Sequence, residues 1–122
     1  MQKKESFISN RLKSVGYAFN GMFILIQTEA SIKIQLVIAV FITMAGFYFN
    51  ISTTEWMIQI GMIGLVMSIE GINTAIEYLS DFVHPENDQK IGLIKDVAAG
   101  AVFIASIVAV IVAGIIYLPK ML

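Results

Sequence analysis

Apolar residues in this chain form three long runs and one stripe. The runs are "IQLVIAVFITMAGFYF" at residues 34–49, "WMIQIGMIGLVMSI" at 56–69 and "VAAGAVFIASIVAVIVAGIIYL" at 97–118. A helix crossing a bilayer needs about 20 predominantly apolar residues. The third run meets this unaided, and the first two meet it with flanking residues. The runs predict spans over about 30–50, 55–82 and 94–118. Ahead of them, Ile8, Leu12, Val15, Phe19, Met22 and Ile26 recur at steps of four and three, which places one apolar stripe along a helix. Lys3, Lys4, Arg11 and Lys13 make this region basic. An amphipathic helix within residues 1–28 follows, either lying in the membrane interface or packed on the bundle.

The expected fold is therefore an all-α membrane protein. It has an N-terminal amphipathic interfacial helix and three transmembrane helices in an oligomeric helix bundle, with residues 1–122 forming one domain. The connections are short. "NISTTE" joins the first two spans, with N-cap candidates at Ser52, Thr53 and Thr54. "HPENDQKIGL" joins the last two, and Pro85 should end the second span near His84.

Composition sharpens the class. Hydrophobic residues make up 57% of the 122 and charged residues 14%, against roughly a quarter charged in soluble domains. A net charge of −1 gives no electrostatic footprint for nucleic acid. With no cysteine, disulfides, thiolate catalysis and Cys-ligated metals are excluded. "MQKKESFISNRLK" does not read as a cleaved signal peptide, because the apolar stretch behind it is interrupted by polar residues.

Lysine and arginine set the orientation. Lys3, Lys4, Arg11, Lys13 and Lys33 precede the first span, the first loop has none, and Lys90 and Lys95 lie in the second. The N-terminus and second loop should face the cytoplasm, with the first loop and C-terminus outside. Lys120 is a mild dissent.

The chemistry concentrates in "IEGINTAIEYLSD" at 69–81. Glu70, Asn73, Glu77 and Asp81 fall within an arc of about 80° at ~100° per residue. Glu70 lies about 21 Å along the helix from Trp56 at ~1.5 Å per residue, in the inner half of the bilayer. A carboxylate at membrane depth costs about 2.5–3.5 kcal/mol on insertion scales. The face is then either a polar seam satisfied by neighbouring helices or a site with a task. Glu29 with Lys33 one turn later reads as an i,i+4 pair, and Lys95 as a snorkelling residue. The topology nevertheless brings Glu29, Glu77, Lys95 and Asp96 to one membrane face, where carboxylates can hold Mg²⁺ with phosphates and a lysine can neutralise phosphate charge.

Other signals are weaker. "GYAFNG" at 16–21 lacks the Lys-Ser/Thr of a P-loop. His84 is the single histidine and reads as a solvated loop residue. Ala101, Ala105, Ala109 and Ala113 form a row of small residues that lets another helix approach closely, and Gly61 and Gly64 suggest the same on the second span. Three spans shield several carboxylates poorly, which points to oligomerisation.

"EGINTAIEYLSD" followed by "IKDVAAGAV", with "KSVGYAFNGM" and the Glu29 of "TEASIK" ahead, resembles the prokaryotic diacylglycerol kinase family, which includes undecaprenol kinases. The resemblance covers essentially the whole chain. It implies a homotrimeric membrane kinase that moves the γ-phosphate of MgATP to the hydroxyl of a lipid alcohol. The acceptor is diacylglycerol, giving phosphatidic acid, or alternatively undecaprenol. By resemblance, Glu70 is the general base, with Asn73 and Asp81 supporting the catalytic face. Glu29 and Glu77 hold the divalent cation. Tyr17, Glu29, Glu77, Glu86, Asn87, Asp88, Lys95 and Asp96 meet the nucleotide, although in the loop only Glu86 matches by type. Asn10, Glu70 and Ala99 meet the lipid. Two positions depart from the pattern. Asn10 stands where members can carry Arg, with Arg11 one place later, and Asn20 stands where Lys is common. A cation-conducting or proton-coupled membrane protein, or an inactive assembly subunit, would use the same acidic seam or alanine row without lipid phosphorylation.

Overall fold

Four helices carry almost all the residues described, 6–122, in this computed structural model. They are α1 (Phe7–Thr28), α2 (Ala30–Tyr48), α3 (Thr53–Val83) and α4 (Gln89–Met121). No strand occurs among the described residues, and α2, α3 and α4 are each long and apolar enough to cross a membrane. Lys3 and Lys4, which the charge reading counts, lie outside the described residues.

Local chemistry sets each boundary. Ser6 caps α1 through a bond from Ser9 N to its Oγ. Ser52 caps α3 in a capping box, accepting from Glu55 N while its own N–H donates to Glu55 Oε1, which satisfies two otherwise orphaned amides. Asp88 caps α4, so that helix begins five residues before the expected 94. It continues past Pro119, which offers no N–H to the carbonyl of Ile115 one turn earlier. At the end of α2, Asn50 adopts a positive φ of 51°. Bonds from Ile51 N to Gly46 O and from Asn50 N to Phe47 O close a Schellman motif. The chain thereby reverses into α3 within four residues.

Antiparallel α3 and α4 form the principal packed pair, α2 lies against α3, and α1 touches α2 only lightly. The tightest apolar packing is at the α2–α3 turn, where Ile51, Ile116 and Tyr117 are buried beneath Phe49, Trp56 and Val112. A polar knot ties three helices there. Tyr117 Oη donates to Gln59 Oε1 and lies 3.2 Å from Ile42 O, and Gln59 Nε2 reaches the same carbonyl at 3.3 Å. Lys120 pairs with Glu55 at 2.8 Å, which accounts for the one basic residue that dissents from the charge bias.

Two expectations change. No residue of α1 is buried, and Ile8, Leu12 and Phe19 stay 71%, 67% and 63% exposed. Packing on this chain's own bundle therefore leaves most of the stripe uncovered, with only Ile26 half-buried. Gly61 and Gly64 have no neighbouring atom within 4 Å of where a Cβ would stand, so no helix of this chain closes on them. The closest approach is at Gly46, where a Cβ would lie 2.7 Å from Trp56 Cη2 and 3.2 Å from Ile51 Cδ1. Gly71 is next, where a Cβ would lie 3.0 Å from Leu25 Cδ1.

Gly46→Ala should destabilise the protein by about 1–3 kcal/mol through overpacking, read as a lowered thermal midpoint in detergent. Adding Trp56→Leu should recover part of the loss, and Gly61→Ala should cost nothing comparable.

Candidate functional site

The side chains of α3 that leave solvent are Gln59, Val66, Glu70, Asn73, Thr74 and Ser80. Their spacing is that of one helical face, the same face that carries the acidic series. Glu70 is only 8% exposed. Among the described residues its carboxylate has no hydrogen-bond or ion-pair partner. Thr74 turns its hydroxyl back to Glu70 O at 3.1 Å, which leaves the carboxylate uncompensated. One turn on, Asn73 Nδ2 donates to Glu77 Oε1 at 3.2 Å. Asn73 Oδ1 is buried with no partner, an acceptor in want of a donor or a cation. Glu77 is half-buried and Asp81 is exposed.

Two contacts draw other helices to this end of α3. Lys95 of α4 forms an ion pair with Asp81, a more specific arrangement than snorkelling. Glu29 occupies the break between α1 and α2, serving as C-cap of one and N-cap of the other. Its Oε1 accepts from Tyr78 Oη at 2.9 Å. No ion pair joins Glu29 to Lys33 among the described residues, so the expected i,i+4 pair gives way to a bond between helices. Tyr78 was not singled out in the sequence. It sits beside Glu77, off the acidic face, and nothing in the local pattern marks it.

The α3–α4 connection forms the third component. His84 caps α3, and its Nδ1 lies 2.8 Å from Glu86 O while its Nε2 lies 3.9 Å from an Asp88 carboxylate oxygen. The histidine thus organises the loop while its side chain stays 42% exposed, as expected of a solvated loop residue. Asp88 Oδ1 accepts from Lys90 N and Ile91 N, so it serves first as a helix cap. Asp81, Glu86, Asn87, Asp88, Gly92 and Lys95 line much of a polar cavity of about 440 Å³.

The structure thus gathers Glu70, Asn73, Glu77 and Asp81 along one face, ties Lys95 to it through Asp81, holds Glu29 to Tyr78 beside it, and places residues 86–88 beside Asp81 and Lys95. It leaves others apart. Tyr17 is 74% exposed on α1, and Asn10, Asp96 and Ala99 are also exposed. No group of three or more His, Cys, Asp or Glu side chains able to hold a metal occurs among the described residues.

Comparison with known proteins gives a family for the chain. Residues 16–117 match the family described as prokaryotic diacylglycerol kinase. An undecaprenol kinase from Bacillus subtilis is 33% identical over 109 residues, 89% of each chain. A diacylglycerol kinase from Escherichia coli K12 is 30% identical over 100 residues, 82% of each chain. A diacylglycerol kinase from Synechocystis is 32% identical over 93% of this chain and 65% of its own length.

Tyr78→Phe should release Glu29 from α3, at a cost of about 1 kcal/mol or less for an exposed hydrogen bond. Backbone amides at residues 29–33 should then exchange with deuterium faster, while those of α4 keep their rates.

Proposed function

Because the chain belongs to the prokaryotic diacylglycerol kinase family, and is a membrane lipid kinase with ATP as co-substrate, we propose that Glu70 is its general base. The observation that carries this is Glu70 itself, 8% exposed on a membrane helix, with no ion-pair partner for its carboxylate among the described residues, and one turn from the Asn73–Glu77 pair. Ionisable groups held at such depth are costly and mark function by default.

The acceptor hydroxyl is placed against Glu70. Its oxygen attacks the γ-phosphorus of ATP as the hydroxyl proton passes to the Glu70 carboxylate, and the bond from γ-phosphorus to the bridging oxygen breaks to release ADP. Phosphoryl transfer of this kind demands positioning and charge neutralisation above all. Lys95, held by Asp81, supplies positive charge beside the polar loop cavity, where Glu86, Asn87 and Asp88 flank the nucleotide. Tyr17 and Asp96 contribute from exposed positions.

Glu29 and Glu77 would hold a divalent cation. The donor set fits Mg²⁺, which favours oxygen ligands and takes one or two carboxylates together with phosphate oxygens. The unpartnered Asn73 Oδ1 beside Glu77 adds a further oxygen. When bound, the ion neutralises charge on the ATP phosphates. Asn73 fixes the Glu77 carboxylate, and Asn10 and Ala99 lie on the lipid side. The chain acts as a homotrimer in a bacterial inner membrane, with the acidic end and N-terminus cytoplasmic and the C-terminus outside.

Diacylglycerol is the acceptor that the family's description favours, giving phosphatidic acid. Undecaprenol is the second reading, supported by the Bacillus relative's 33% identity and 89% coverage in both directions. Both acceptors present a primary hydroxyl.

Purified protein given labelled ATP should phosphorylate one of these lipids in preference to the other. Chelation of divalent cations should abolish transfer and Mg²⁺ should restore it. Glu70→Gln should lower turnover at least ~10²-fold, within the range for loss of a general base, with oligomer mass unchanged. Turnover surviving that change would refute the base assignment.

A further inference from the structure

Above the acidic face, α2, α3 and α4 do not close on one another. They leave an apolar groove of about 220 Å³, whose walls include Ile38, Met62, Val66, Ala109, Val110 and Ala113. Polar side chains reach it at Gln35, Gln59 and Ser106. Gln59 is already engaged with Tyr117 and Ile42 O, so the polar knot forms the groove's far end. From Gln59 to Val66 the groove follows α3 for about 10 Å at ~1.5 Å per residue. Val66 then stands one turn from Glu70 on the same buried face.

We propose that this groove seats the hydrocarbon tail of the lipid alcohol, and that Ala109 and Ala113 set the bulk and length of tail accepted. The inference rests on Glu70 as the base, because that residue fixes where the hydroxyl must lie. An amphiphile with its hydroxyl at Glu70 extends its tail away from the polar loop cavity. Along the buried face of α3, that direction leads into the groove. Any membrane groove can hold a bulk lipid chain, and adjacency to Glu70 is what makes this one a substrate site. Its width depends on the alanine row. Ala105, Ala109 and Ala113 recur every four residues on α4, Ala105 is buried, and the other two line the cavity. Larger side chains at 109 or 113 would occupy the space where the tail lies.

The test uses acceptors with one hydroxyl headgroup and either a short or a long tail, presented in mixed micelles to the full-length protein. Ala109→Leu and Ala113→Leu should raise the KM ratio of long-tailed to short-tailed acceptor about tenfold, equivalent to ~1.4 kcal/mol, with no matching change in the KM for MgATP. Met62→Ala, which enlarges the groove, should shift preference toward bulkier tails, and it keeps the test open should the leucine variants fail to assemble. A photoreactive group at the tail end should label residues 106–113. Unchanged tail preference in all three variants would overturn the proposal. So would a change in oligomer mass with uniform loss on every acceptor, which would mark the groove as a seat for a second copy. Loss of the base assignment reads differently: Glu70→Gln would then retain turnover on short-tailed and long-tailed acceptors alike.

Discussion

Hydrocarbon offers no hydrogen bonds, so every polar group on the buried face of α3 must find a partner within the protein or remain costly. The two ends of the face meet this constraint differently. At the far end, Gln59, Tyr117 and the Ile42 carbonyl satisfy one another across three helices, and Glu55 is paired with Lys120. At the acidic end, neither the Glu70 carboxylate nor Asn73 Oδ1 finds a partner among the described residues. One end is complete and the other keeps unmet hydrogen-bonding capacity. This asymmetry, along a single helix, separates a structural seam from a site more clearly than the number of acidic residues does.

Much of this was legible in the sequence because helices in membranes leave strong local signals. Three apolar runs predicted three long helices, Pro85 ended α3 at Val83, and Ser52 capped it as its type and position suggest. The shared face of Glu70, Asn73, Glu77 and Asp81 follows from helical geometry alone. Contacts between helices are a different matter, because they depend on register, which no local pattern encodes. The Tyr78–Glu29 bond, the Lys95–Asp81 pair and the Gln59–Tyr117 knot all join residues distant in sequence. Gly46 belongs to the same group. Nothing in "MAGFYF" distinguishes it from Gly61 or Gly64, yet Gly46 alone of the three lies against the Trp56 ring. His84 shows the local version of the same limit, since its role comes from a loop that bends back on itself to bring Glu86 O and Asp88 near.

Several site residues named by resemblance remain on the surface of the single chain. Tyr17, Asp96 and Ala99 are exposed, as are Phe41, Phe103 and Ile104 within the apolar helices. In water such apolar exposure would be a liability, but in a bilayer it is the ordinary lipid-facing surface. Exposed polar groups such as Asp96 are better explained as facing a nucleotide or a neighbouring subunit. A homotrimer would give these residues something to face, and the proposed trimeric assembly and the exposed site residues support each other.

The position of the acidic face between two dissimilar cavities carries the functional logic further. On one side lies the polar loop cavity with Lys95 and the 86–88 segment, and on the other the apolar groove that begins one turn beyond Glu70. ATP and a lipid alcohol differ so much in polarity that no single pocket could bind both well. ATP needs charge and hydrogen-bond donors, and the tail needs their absence. A helix crossing from hydrocarbon to water passes through both environments, so a face that spans the crossing can present a base to one substrate and charged groups to the other. On the proposed reading of Glu70 as the base, its depth is set from both directions. Moved a turn deeper, it would lose reach to the phosphates. Moved a turn toward water, it would be solvated beside them and no longer level with the hydroxyl of an embedded lipid. The uncompensated carboxylate stands where these two demands intersect, and its cost in stability is the consequence of that placement.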